Sequence, residues 1–296
     1  MRDISRITFP TIPMVHRTWE DTCKILSEIG YKNVDIIDKP PHWSVFPDEV
    51  DHKAIKKTAD NHGLKITSIN GYFGGGQSGR AGAWKHHPGF QFPNKDRYTP
   101  IGFASDNEKE LEQEMDQTKK AIDCAAFFGS EYLRFVPGDE DEKKLDKMVP
   151  LLQEMCRYAK EKNVTMVCEN HDDGILGQPY TLVKMVEKVG YDNIGVIYEP
   201  LNMAEQATLD YKKAFEIMRE IIKFVHLKDG YLDPHQRTYV PTLFGEGEMD
   251  YRWVIDRLDT IGYKGYIGLE YEVQGLPVEK GAAQYLEGYK KLVGMK

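Results

Sequence analysis

VTMVCENHDDGILGQPYTLVKMVEKVGYDNIGVIYEP, residues 164–200, holds a strand, a helix and a second strand in succession. VTMVCEN (164–170) and NIGVIYE (193–199) are short apolar runs rich in β-branched residues, bounded by polar and glycine-containing turns. Between them TLVKMVEKVG (181–190) carries apolar residues at helical spacing and closes on glycine. A strand, a helix and a strand in that order build a parallel pair, and both strands here end on a carboxylate, Glu169 and Glu199.

The same alternation runs outward in both directions. Strand segments precede it at RITFPTIP (6–13), NVDIID (33–38), LKITSINGY (64–72) and EYLRFVPG (131–138), and follow it at KFVHLKD (223–229) and GYIGLEY (265–271). Amphipathic stretches such as TWEDTCKILSEIG (18–30), DYRWVIDRLDTIG (250–262) and LPVEKGAAQYLEGYKKLVGM (276–295) separate or follow them, several opening on Ser, Thr or Asp. Eight strand-helix units without a linker predict the α/β class and one (β/α)8 TIM barrel spanning 1–296, since such a barrel takes about 250 residues. Pro150 predicts a disturbed fourth helix, divided into two shorter ones. After the third strand, GYFGGGQSGRAGAWKHHPGFQFPNKDRYTPIGFAS (71–105) is too long for an ordinary loop. Its aromatics predict an ordered flap over the barrel mouth, hinged at the glycine run, and GGGQSG lacks the GK[ST] ending of a phosphate loop.

Composition sets outer bounds. A formal net charge of −8 argues against nucleic-acid or anionic-membrane partners. No apolar run approaches the roughly 20 residues of a spanning helix, and MRDISRITFP has no signal-peptide core, so a soluble, cytoplasmic protein is expected. Cys23, Cys124, Cys156 and Cys168 form no CxxC pair and read as reduced thiols.

The last four strands each end on a metal-binding side chain: Glu169, Glu199, His226 and Glu270. On a parallel barrel those ends share one rim, and three carboxylates with one imidazole suit Mn²⁺, Mg²⁺, Co²⁺ or Zn²⁺. Residues two apart share a strand face, which groups His171 with Glu169, Lys228 with His226 and Glu272 with Glu270. Lys228 needs a nearby carboxylate if it is buried, Asp229 being the nearest in sequence. His171 is a further catalytic candidate, and Arg134, Trp84 and Lys228 are candidates for substrate contact.

The ordered set CENHDDG, GVIYEPLN, FVHLKDG, FGEGEMD and GYIGLEYE resembles the xylose-isomerase-like TIM-barrel superfamily of sugar isomerases and epimerases, which includes ketose 3-epimerases and inosose-handling enzymes. The resemblance covers nearly the whole chain. It implies one divalent metal, usually Mn²⁺, on Glu169, Glu199, His226 and Glu270. Glu169 and Glu270 would serve also as the acid/base pair, and Asn202 would touch substrate oxygens. Two positions depart from the pattern. Glu199 stands where Asp is more frequent, making it the loosest ligand, and the Arg of some ketose 3-epimerases has Arg237 as its nearest counterpart.

Such a site acidifies the C–H beside a carbonyl by stabilising the enediolate that develops. Reprotonation gives an epimer or an isomer of a ketose or keto-sugar. A leaving group β to the carbanion gives instead a lyase, one that cleaves a 3-keto-glycoside, C-glycosides included, or dehydrates a keto-inositol. A DNA-repair endonuclease on this barrel would need a His-rich multi-metal site, against which nine histidines mostly off the strand ends argue. A non-catalytic sugar-binding barrel would hold no stoichiometric cation. The expected partner is a small sugar, and association with further subunits is left open.

Overall fold

A computed structural model describes residues 4–75, 102–137, 141–171, 174–205, 210–235 and 238–295. Eight parallel strands close into a barrel: β1 (Ile7–Pro10), β2 (Asn33–Ile37), β3 (Lys65–Phe73), β4 (Tyr132–Phe135), β5 (Thr165–Glu169), β6 (Ile194–Tyr198), β7 (Ile222–Leu227) and β10 (Ile267–Leu269). Closure is made by β1 pairing with β10, Ile7 opposite Ile267 and Thr8 opposite Gly268. The expected (β/α)8 TIM barrel is therefore the fold. Most of the expected flap, Trp84 included, and Arg237 lie outside the described residues.

Helices α1 (Trp19–Ile29), α2 (His52–Asn61), α3 (Glu108–Phe128), α4 (Leu145–Glu161), α5 (Pro179–Val189), α6 (Pro200–Glu205), α7 (Tyr211–Met218), α8 (Tyr251–Thr260) and α9 (Val278–Leu292) connect and surround the strands. Their starts follow local chemistry. Thr18, Asp51, Asn107, Asp210 and Asp250 each accept a hydrogen bond from a backbone N–H of the first turn. Gly30, Gly129 and Gly190 end their helices in the left-handed conformation. None of the described helices is long and apolar enough to cross a membrane. All four cysteines are free.

Two sequence expectations are corrected. Helix α4 runs unbroken through Pro150. Its buried stripe of Leu145, Met148, Leu152, Met155, Cys156 and Ala159 packs on the barrel, and that burial offsets the roughly 3 kcal/mol a helical proline costs. Between β7 and α8 the chain also makes an antiparallel hairpin, β8 (Asp229–Asp233) with β9 (Thr238–Thr242). Neither strand has the apolar run of a barrel strand, because both lie outside the barrel and β9 is only half buried. Pro241 is tolerated there as a strand of a two-stranded ribbon.

Strand alternation builds the barrel interior in tiers. Val167, Ile197, Phe224 and Tyr266 form a small apolar cluster of their own, with Tyr132 packed against it. Two residues further along each strand stand Arg134, Glu169, Glu199, His226 and, after Gly268, Glu270. The period of two thus places an ionisable tier directly above an apolar plug. Phe224 and His226 meet edge to face at 5.4 Å, which shows the two tiers in contact.

Candidate active site

At the C-terminal rim the strands deliver Glu169 (end of β5), Glu199 (after β6), His226 (in β7), Lys228 (after β7) and Glu270 (after β10) into one buried cluster. His226 is at its centre. Its Nδ1 lies 2.7 Å from Glu169 Oε1 and 3.9 Å from Glu270 Oε1, while Nε2 lies 3.0 Å from Asp35 Oδ2. Gly268 is what lets the imidazole sit there, because a Cβ at that position would come within 2.6 Å of His226 Cδ2.

Glu169 uses its second oxygen for Arg134, whose Nη2 is 3.0 Å from Oε2. Arg134 in turn donates from Nη1 to Asn70 Oδ1 at 3.0 Å and lies 4.7 Å over the Tyr72 ring. Burial acts to raise the Glu169 carboxyl, yet Arg134 and His226 outweigh it and hold the group well below the usual carboxylate range. Burial would lower His226, but Glu169, Glu270 and the Asp35 hydrogen bond raise it far above an ordinary histidine.

Glu270 sits in a different environment. Burial raises its carboxyl, Lys228 opposes the rise and Glu169 adds to it, leaving the group above its ordinary value. Its Oε2 is buried and accepts no hydrogen bond, with Lys228 Nζ 3.5 Å away. Lys228 is held by Glu272 at 3.1 Å as well. The carboxylates that hold Lys228 therefore come from the segment just after β10, Glu270 and Glu272, rather than from Asp229. Asp229 turns the other way and accepts the backbone N–H groups of Gly230, Gly245 and Gly247, pinning the FGEGE loop to the hairpin.

Glu169, His226 and Glu270 each offer a ligand atom, and these atoms lie within 4.8 Å of one another. Glu199 is buried beside them but stands apart from that trio. Its carboxylate accepts the backbone N–H groups of Leu201 (3.0 Å) and Asn202, the first amides of α6 that Pro200 leaves free. Burial, with repulsion from Glu270 against attraction to Lys228, pushes Glu199 up to about 8. Asn202 is also buried and donates from Nδ2 to Asn170 O, while Asn170 bridges to the Glu199 backbone on both sides. His171 follows β5 half buried, its N–H donated to Leu176 O.

Sequence reading did not single out Asp35, Ser68, Asn70 or Tyr72. The only signal for Asp35 was an acid in the middle of the apolar strand NVDIID.

Residues 23–292 match the xylose isomerase-like TIM barrel family, and the chain belongs to it. Among curated proteins it is 30% identical over 103 residues to 2-oxo-tetronate isomerase of Haemophilus influenzae, covering 34% of this chain and 36% of that protein. The match thus spans about a third of that relative's length. A xylose isomerase-like TIM barrel protein from Mycobacterium smegmatis, solved in complex with magnesium, superposes with a TM-score of 0.72 at 16% identity over 97% of this chain and 96% of that one. D-allulose 3-epimerase from Methylomonas sp. superposes with a TM-score of 0.71 at 14% identity over 97% of both chains. At such identities the superpositions show the fold.

Proposed function

We propose that this chain is a metal-dependent isomerase or epimerase that acts on a ketose or keto-sugar derivative by moving a proton at the carbon beside the carbonyl. The observation that carries the reading is the buried trio Glu169, His226 and Glu270, with donor atoms within 4.8 Å of one another at the rim of the barrel. The 2-oxo-tetronate isomerase and D-allulose 3-epimerase relatives support the reaction class, and the magnesium-bound relative supports a divalent cation.

The donor set fits such a cation. Two carboxylates and one imidazole suit Mn²⁺, which we take as the preferred ion, or Mg²⁺, Co²⁺ and Zn²⁺. Glu270 Oε2, buried without a hydrogen bond and with the Lys228 ammonium 3.5 Å away, is the kind of atom a cation or substrate would satisfy. Glu169, His226 and Glu270 would hold the ion. When bound, it supplies Lewis-acid stabilisation of the negative charge that develops on a substrate oxygen during deprotonation.

The chain's own residues do the rest. Glu169 and Glu270 come from strands separated by β6 and β7, so they approach a substrate in the barrel mouth from different sides. One removes the proton from carbon and the other returns one to the opposite face. Glu169 is held as a carboxylate by Arg134, whereas Glu270 has burial favouring its protonated form, so their environments push the two apart as an acid/base pair requires. Lys228, fixed between Glu270 and Glu272, presents a cation to a substrate oxygen.

The test is incubation of Mn²⁺-loaded protein in deuterated water with ketoses, inososes and 3-keto-glycosides. Deuterium is expected at the carbon beside the carbonyl, and chelation is expected to stop its entry. Full activity in metal-free protein would sink the reading. Expulsion of a β-leaving group in place of exchange would move the chain to the lyase branch.

A further inference from the structure

We propose that Asp35 is the positioning residue of this site. Held by Ser68, it fixes the proton of His226 on Nε2 and so presents Nδ1 to the cation. This inference rests on the metal-dependent reading above.

The geometry is specific. Asp35 lies on β2, whose barrel neighbours are β1 and β3, so its carboxylate reaches across the lumen to His226 on β7. It is 1% exposed and His226 is fully buried. Asp35 Oδ2 meets Nε2 at 3.0 Å, while Oδ1 accepts the hydroxyl of Ser68, its register partner on β3. The β2–β3 register shifts between Val34 and Asp35, and Asp35 is the first residue paired after the shift. Both carboxylate oxygens are thus committed, one to an anchor and one to the imidazole.

The chemical consequence follows from the two ring nitrogens. A neutral imidazole carries one proton, and only the nitrogen without it can ligate. Nδ1 faces Glu169, 2.7 Å away, and Glu270, so ligation there requires Nδ1 to release its proton to solvent as the cation takes the place between it and the carboxylates, while the proton on Nε2 stays on the hydrogen bond to Asp35. Gly268 leaves the ring room on one side, and Phe224 meets it edge-on. Neither of those neighbours selects a tautomer. An acceptor behind a ligating histidine fixes ring orientation and raises ligand basicity, and losing such a partner typically weakens metal binding ten- to hundredfold.

The experiment titrates stripped full-length protein with Mn²⁺ by calorimetry, comparing wild type, Asp35→Asn, Asp35→Glu and His226→Ala. Visible absorption of the Co²⁺ forms is recorded alongside. Wild type is expected to bind one equivalent. Asp35→Asn is expected to bind about ten- to hundredfold more weakly with shifted Co²⁺ bands, and Asp35→Glu to recover part of the loss. A merely structural role would change thermal stability but leave the Co²⁺ bands in place. Should the variants fail to fold, long-range ¹⁵N NMR of wild type loaded with diamagnetic Zn²⁺ reads the same point: Nε2 protonated and Nδ1 ligating. Ligation through Nε2, or an Asp35→Asn affinity within about twofold of wild type with unchanged bands, overturns the inference while the metal reading stands. A wild type that binds no cation overturns both.

Discussion

The two ends of the barrel carry the same kinds of side chain and treat them differently. At the N-terminal end Lys65, the first residue of β3, pairs with Glu131 at 2.6 Å, and both side chains are about half exposed. Tyr266 OH completes the triangle, accepting from Lys65 at 2.9 Å and donating to Glu131 at 3.0 Å. At the C-terminal end Arg134, Glu169, His226, Lys228 and Glu270 are all buried, as is Asp35. Water pays little attention to a pair it already solvates, whereas removing one partner of a buried set leaves an uncompensated charge. The lower end is therefore expected to tolerate change, and the upper end to be the more sensitive of the two.

The largest difference is expected from His226→Ala. It removes the residue that touches Asp35, Glu169 and Glu270 together, so Mn²⁺ binding measured by calorimetry is expected to vanish. Retained stoichiometric binding would break the contrast at its centre. Glu270→Gln is the next step down. It keeps the shape but removes the ionisable group, and solvent-deuterium exchange is expected to fall by about a hundredfold or more, with Glu169→Gln behaving alike. Metal content must be measured in both variants, so that lost exchange is not mistaken for a lost ion.

Glu199 sharpens the comparison from within the upper rim. It is as buried as Glu270, yet its oxygens face the first amides of α6. Glu199→Gln keeps one oxygen to accept one of those N–H groups and loses the acceptor for the other, a local cost at the start of α6, so Mn²⁺ affinity is expected to drop by less than about tenfold, against the complete loss expected for His226→Ala. A loss as complete as that of His226→Ala would return Glu199 to the ligand set.

Acid should also act on the upper end. His42, in the loop after β2, is fully buried between Thr11 Oγ1 and Thr22 Oγ1, each 3.1 Å from a ring nitrogen. Burial lowers it from 6.5 to about 4, with Lys39 adding to the fall against backbone hydrogen bonds that raise it. Because the folded value lies below the unfolded one, protonation favours the unfolded chain. The stability is present in full above 6.5 and is lost as pH falls toward 4, by at most about 3 kcal/mol. Denaturant midpoints of wild type and His42→Gln across that window check the sign: the variant should lose less.

The division between what the sequence disclosed and what it concealed follows the same physics. Strand alternation and strand ends are local, so Glu169, His226, Lys228 and Glu270 could be placed on one rim from their spacing. Asp35 could not, since its partner lies 191 residues away across the lumen. The orientation of Glu199 depends on where α6 begins, a boundary that Pro200 hints at but a periodicity of six residues cannot reveal. Asp229 looked like the partner of Lys228 because it is adjacent, and adjacency in a strand means the opposite face. The unbroken α4 shows packing overriding a local breaker.

The smallest effect belongs to the lower end and tests the other half of the comparison. Lys65→Ala removes an ion pair, a hydrogen bond to Tyr266 and a cation lying 5.4 Å from the Tyr266 ring centre. Burial acts to raise Glu131, but the hydrogen bonds from Lys65 and Tyr266 together with the Lys65 charge outweigh it and draw the carboxyl below its usual range. With both charges about half exposed, solvent screens most of that interaction, and the loss is expected to stay under about 1 kcal/mol and to shrink further in high salt. Beneath the pair, Phe224, Val167 and Ile197 remain packed, so the plug under the site should be undisturbed. Denaturant unfolding at low and high salt measures the first point, and Mn²⁺ titration of the same variant measures the second. A destabilisation of several kcal/mol, or a metal affinity that moves with it, would mean that the two ends are coupled through the plug and that the lower triangle helps to hold the ionisable tier in place.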